Sequence, residues 1–144
     1  MAEKRRTAAF TLLILWVALA LVRPVPARGA GLDGTQWKMR FRSAKAWLHI
    51  WKADIMRFAD GKFDDTECGS YGFSEASYGL TDTGGRPVWR ATRYNPDGER
   101  TDWEGVLEGD TMEGTFTWTR PDGQSRKYTF SAKRRGNRVA AAKG

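Results

Sequence analysis

The chain contains one histidine, His49, and one cysteine, Cys68. Nucleophilic catalysis needs a thiol or hydroxyl beside a base, with the base held in turn by a third group. His49 lies within Trp47-Leu48-His49-Ile50-Trp51 with no catalytic motif around it, so it reads as a surface or strand-edge side chain. Cys68 reads as a small buried hydrophobe, free cysteine being among the most buried residue types. Its alternative in an oxidising compartment is an intermolecular disulfide. A lone cysteine excludes an intramolecular disulfide framework and every cysteine-rich zinc site. The expectation is a non-enzymatic protein with no cofactor.

The acids come next. Asp64, Asp65 and Glu67 form one cluster and Asp102 with Glu104 another, the latter on the strand face opposite Trp103. Neither has the ligand spacing of a recognised calcium loop, so both read as solvated charge and no metal is expected. Asp54 is different. If Met56 and Phe58 point inward, period-two alternation turns Asp54 inward as well, near a barrel mouth. A buried carboxylate needs a partner, for which Arg90, Arg126 or the polar end of a ligand would serve. In the opposite register Trp51, Ala53 and Ile55 make an equally apolar face and Asp54 meets water. The residues alone leave both open.

These side chains must be positioned by strands. Turn signals recur at Asp60-Gly61, Asp82-Thr83-Gly84-Gly85, Asn95-Pro96-Asp97-Gly98, Glu108-Gly109-Asp110 and Pro121-Asp122-Gly123. Proline presets φ at a turn corner, and glycine or aspartate tolerates the positive φ of a tight hairpin. Between the turns the residues alternate: Trp37, Met39 and Phe41 oppose Lys38, Arg40 and Arg42, and Met112, Gly114, Phe116 and Trp118 oppose Glu113, Thr115, Thr117 and Thr119. Such alternation predicts antiparallel strands with one buried and one wet face. Eight are expected, at residues 35–42, 49–58, 62–68, 76–81, 88–94, 101–107, 111–119 and 125–132. The only foothold for helix is 43–51, which reads equally well as a loop.

Short, even connections favour an all-β, up-and-down barrel over a Greek-key sandwich, which needs a longer crossover. Closure also removes exposed strand edges. Gly105 and Gly114 fit positions where a barrel bends or a neighbour approaches closely. Ten aromatic rings would project inward: Trp37, Phe41, Phe58, Tyr78, Trp89, Trp103, Phe116, Trp118, Tyr128 and Phe130. An eight-stranded interior is just wide enough to be filled by side chains or to hold one small ligand. Ten rings therefore predict a mostly filled interior with a shallow pocket at one mouth, or core packing without any ligand. The candidate ligand-binding residues are Trp37, Asp54, Tyr78, Trp89, Trp103, Trp118 and Tyr128.

The net charge of +7 invites a nucleic-acid reading that its distribution removes. Residues 31–132 carry 14 basic and 16 acidic side chains, and the excess of positive charge lies at the two ends. A nucleic-acid domain places its charge on the folded surface that tracks phosphates, so no nucleic-acid partner is expected. At the amino-terminal end, Glu3-Lys4-Arg5-Arg6 precedes the apolar run 8–22 and the small-residue site Val25-Pro26-Ala27. That order predicts a secretory signal peptide over 1–27, with a retained membrane anchor as the alternative. A barrel domain over 28–132 follows, and the protein is expected to be periplasmic or secreted, as a monomer. Residues 133–144 form a basic tail with three readings. Lys133 or Arg134 folds over Trp37 as a cation–π lid, the tail tethers the protein to anionic surfaces, or it is inert.

Asp33-Gly34-Thr35-Gln36-Trp37, opening the first strand, resembles the glycine-to-tryptophan start of lipocalin-like (calycin-type) proteins, with one extra residue in the spacing. The wider pattern is similar to small lipocalin-like proteins of bacteria. It runs through Asp54-x-Met56-x-Phe58, Asp60-Gly61-Lys62-Phe63, Cys68, Tyr71-Gly72-Phe73, Trp103-x-Gly105, Gly109-Asp110-Thr111-Met112-x-Gly114 and Trp118 before Asp122-Gly123. The resemblance spans about residues 32–132 and implies a barrel outside the cytoplasm that binds a ligand or a protein. The first expectation is a small apolar or aromatic molecule at the barrel mouth. The alternative is an inhibitor-like or envelope-associated interaction module, with loops 69–77 and 82–86 meeting an envelope or extracellular protein.

Overall fold

The computed structural model describes residues 31–136 apart from 46 and 49. The expected signal peptide, His49 and the tail beyond 136 lie outside the described residues. Eight antiparallel strands close into one barrel in chain order. They are β1 (Thr35–Ser43), β2 (Lys52–Ala59), β3 (Lys62–Asp65), β4 (Ala76–Thr83), β5 (Arg86–Tyr94), β6 (Arg100–Glu108), β7 (Thr111–Thr119) and β8 (Ser125–Arg134). β1 pairs with β2 on one side and with β8 on the other, with Trp37 opposite both Met56 and Arg134. The alternation decides the facing: Trp37, Met39 and Phe41 are buried while Lys38 and Arg40 are exposed.

The β2–β3 hairpin turns on Asp60 and Gly61, with φ of 53° and 73°. Positive φ at both corners is the two-residue turn whose twist matches its flanking strands. Gly105 and Gly114 are required for a different reason. They face each other across β6 and β7, and a Cβ at Gly105 would run into the Trp89 indole. One at Gly114 would meet the Glu104 carbonyl and the Phe130 ring. The rings fill the space these glycines leave.

Several strand boundaries differ from expectation, three of them with consequences. β2 begins at Lys52 instead of residue 49, and the described residues of 44–51 form no helix. The third strand stops at Asp65, where a short helix α1 (Thr66–Ser70) begins. Asp65 caps it by accepting a hydrogen bond from the Cys68 amide at 2.7 Å, the usual work of an aspartate at a helix start. The last strand continues through Arg134. The amides of Arg134 and Arg135 donate to the carbonyls of Asp110 and Gln36, each at 2.8 Å. Lys133 and Arg134 therefore belong to the barrel, not to the tail.

One end of the barrel is packed shut. Leu32, Trp37, Met56, Phe58, Phe63 and Trp89 are all fully buried there. The Arg134 guanidinium lies 5.9 Å from the Trp37 ring centroid, the first of the three arrangements considered for this segment. Trp37 Nε1 donates to Thr35 Oγ1 at 2.8 Å. Asp33 accepts from the Gly61 amide at 3.0 Å and from the Tyr78 hydroxyl at 2.7 Å. Burial, and then this bond to Asp33, holds the Tyr78 phenol well above its ordinary pKa.

Candidate binding cavity

The opposite end is hollow. A cavity of about 670 Å³ opens between the β1–β2 loop, α1 and the β7–β8 turn, within the size range of small-molecule sites. One wall is aromatic. Trp103 stacks on Phe116 with ring centroids 4.1 Å apart, and Phe116 stacks on Tyr128 at 4.6 Å. Phe41 meets Phe116 and Tyr128 edge-on at 5.6 and 6.0 Å. Next along β7, Trp118 is braced by the edges of Tyr71 and Phe73 at 5.1 and 5.5 Å. The strand register places these rings side by side: Trp103 is opposite Phe116, which is opposite Tyr128.

The facing wall is polar at its base. Asp54, on β2, points inward and is 8% exposed. Its Oδ1 accepts from the amides of Ile55 at 2.6 Å and of Thr66 and Glu67 at 3.1 Å, tying the first turn of α1 to the barrel. Oδ2 has no donor. Burial, and then the negative charge of neighbouring Asp65, push the Asp54 carboxyl up to about 7. The Ile55 and Glu67 amides pull in the other direction, but they do not cancel this, and contact with the Asp65 carboxyl adds to the rise. Near neutral pH the group is thus poised between an acceptor and an O–H donor.

Neither cation expected for Asp54 reaches it. Arg90 faces outward and pairs with Glu104 at 2.7 Å, and Arg126 is exposed at the rim. The buried cation is Arg93, whose guanidinium is fully enclosed and closes on Asp65. It also donates to Asp64 Oδ1 at 2.8 Å, to the Ser74 carbonyl at 2.7 Å and to the Phe73 carbonyl at 2.9 Å. The expectation that Asp64, Asp65 and Glu67 are solvated is corrected for Asp65, which is buried with Arg93. The signal was present in β5. Arg93 shares the parity of Trp89 and Ala91, so an inward arginine required an inward acid.

Of the seven candidate residues, Asp54, Trp103, Trp118 and Tyr128 line the cavity. Trp37, Tyr78 and Trp89 lie in the packed end instead, with Trp89 Nε1 directed at Met112 Sδ at 3.1 Å. Alternation reports which face a residue takes and not its height along the barrel axis. Sequence reasoning missed Arg42, Lys52 and Arg120, which stand around the mouth. Cys68 lines the cavity but is 4% exposed. Burial and then Asp65 hold its thiol protonated, which makes it a poor nucleophile. Phe73, in the loop expected to meet a protein partner, is buried against Trp118. Loop 69–77 therefore does not present it to solvent.

The chemistry of the cavity follows from its unmet bonds. The indole N–H groups of Trp103 and Trp118, Nε of Arg42 and Oδ2 of Asp54 are all buried without a hydrogen-bond partner. A buried polar atom left alone costs about 1–3 kcal/mol, and native structures hold few of them. All four belong to residues that line the one cavity, each covered by its neighbours as the side chains stand. Compared with known proteins, the chain matches no family model, no curated protein and no solved structure.

Proposed function

We propose that this protein is a non-enzymatic, lipocalin-like binding protein that holds one small apolar or aromatic molecule at its open end. The observation that carries this reading is the set of orphaned polar atoms in the walls of an aromatic cavity. An occupant with a flat apolar body would lie against Trp103, Phe116 and Tyr128. Small side-chain shifts would bring the two indole N–H groups and Arg42 to its acceptor atoms, and a donor or acceptor at its inner end would meet Asp54. Lock-and-key polar contacts of this kind orient a ligand inside a largely apolar site. The closed strand order and the Trp37–Arg134 contact are consistent with a lipocalin-like fold. The charged-then-apolar opening of the chain supports export, which would place this binding outside the cytoplasm.

The test is a titration of the full chain with a panel of aromatic and aliphatic carboxylates, alcohols and neutral ring compounds, followed by intrinsic tryptophan fluorescence. A binder changes the emission of Trp103 and Trp118 saturably at one molecule per chain. Trp118→Phe, which removes one N–H donor and keeps a ring, weakens that ligand about tenfold, the scale of a hydrogen bond lost from a buried site. A panel without any saturable response would sink the reading.

A further inference from the structure

We infer that the rim of the open end is a membrane-docking surface for anionic phospholipid. Six large apolar or aromatic side chains are exposed among the described residues: Trp47, Leu48, Ile50, Trp51, Tyr71 and Tyr94. All six lie at the open end, in the β1–β2 loop, just after α1 and at the close of β5. Trp47 is 86% exposed and Ile50 66%. Exposed apolar residues scattered singly need no explanation, but a cluster confined to one end does.

The charge around this patch says what covers it. Arg42, Lys45, Arg126 and Lys127 surround the mouth, and none has an acidic partner within salt-bridge distance among the described residues. The guanidinium groups of Arg40 and Arg42 lie 5.4 and 5.1 Å from the Trp51 ring centroid. Tryptophan at the tip with lysine and arginine behind it is the composition of an interfacial anchor. The rings sit at headgroup depth while long basic side chains reach the phosphates. Protein interfaces, in contrast, are depleted of lysine at their core. Each cation adds on the order of 1 kcal/mol at an anionic surface.

Docking in this orientation has a consequence for the cavity. Trp47, Leu48, Ile50 and Tyr71 belong both to the rim and to the cavity lining. A barrel seated on its rim therefore opens its cup toward the acyl region, and the matching cargo is a molecule that partitions into lipid. This last step rests on the binding reading above, whereas the docking itself does not.

The experiment uses the full chain with an environment-sensitive nitrobenzoxadiazole label at Leu48→Cys, and separately at Glu108→Cys on the opposite end. Cys68 is buried and stays unlabelled in the folded protein. On phosphatidylglycerol-containing vesicles the label at position 48 shifts to the blue and brightens, and the label at 108 does not. Lipid lacking net charge gives a weaker response, and about 0.5 M salt reverses most of the binding by screening. Lys45→Gln and Lys127→Gln each lower partitioning about fivefold. Attachment through any other part of the chain leaves the label at 48 in water or shifts both labels alike, and either outcome overturns the proposal. A vesicle-independent shift at 48 that tracks dimer formation in sedimentation also overturns it, by assigning the rim to a second copy. Saturable small-ligand binding with no rim insertion would leave the carrier reading standing alone. Rim insertion without any ligand response would do the reverse.

Discussion

Asp65 takes the buried guanidinium of Arg93, and Asp54, beside it on the cavity wall, is left without a cation. Acids of two adjacent strands face one buried arginine, and it binds only those on β3. The cavity therefore contains a carboxyl whose proton is loosely decided, facing the space where a ligand would sit.

A pH dependence follows. Asp54 has an ordinary value of 3.8 and is raised to about 7 in the folded protein. Between these values the folded state holds a proton that the unfolded chain has released, so this group's contribution is fully present below 3.8 and is lost as pH rises through about 7. Asp54→Asn keeps an oxygen for the three amides and removes the titration. After allowance for the solvent that reaches the cavity, the variant should gain on the order of 1–2 kcal/mol over the parent at pH 8 and nothing at low pH. Urea unfolding of both proteins at pH 4 and pH 8 checks this, and an equal difference at the two values would contradict it.

Arg93 is the second test. Arg93→Met leaves Asp65 buried and uncompensated, and the expected loss is about 3–5 kcal/mol. The same change frees the Ser74 and Phe73 carbonyls, so the segment after α1 should become a site of protease cleavage in the still-folded fraction. Pairing it with Asp65→Leu should recover part of the stability, since an apolar pair of similar volume replaces the ions. Arg90→Met, on the same strand but paired in solvent with Glu104, should cost less than about 1 kcal/mol. Comparable losses at 90 and 93 would refute the assignment.

At the closed end, Trp37 is fully buried and its neighbour Lys38 is exposed. Trp37→Ala should cost about 3–5 kcal/mol, the scale of truncating a large buried ring. Lys38→Ala should change stability by no more than about 0.5 kcal/mol. Thermal or urea unfolding of the two variants measures the contrast.

Much of this architecture was legible in the residues themselves. Alternation on β1 and β7 and the five turn signals are local properties, and they pointed to the strand count, facing and antiparallel meander before any contact was known. For Asp54, alternation with Met56 and Phe58 offered the inward placement and Trp51, Ala53 and Ile55 the flipped one, and only the closed sheet chose between them. The close approach at Gly105 and Gly114 was also readable, because a strand residue without a side chain marks it, whereas a cation from Lys133 or Arg134 over Trp37 was one of three open readings of the tail.

What tertiary structure alone decided is height and partnership. Trp37 and Trp118 both face inward, yet one is sealed under Arg134 and the other borders a cavity, because position along the barrel axis depends on the register of all eight strands together. Asp65 and Arg93 are 28 residues apart, and only closure of the barrel brings them into contact. That contact leaves Asp54 without a cation, while the other oxygen of Asp65 caps α1. Periodicity is written residue by residue along a strand. The pairing of two buried charges exists only once the sheet has closed on itself.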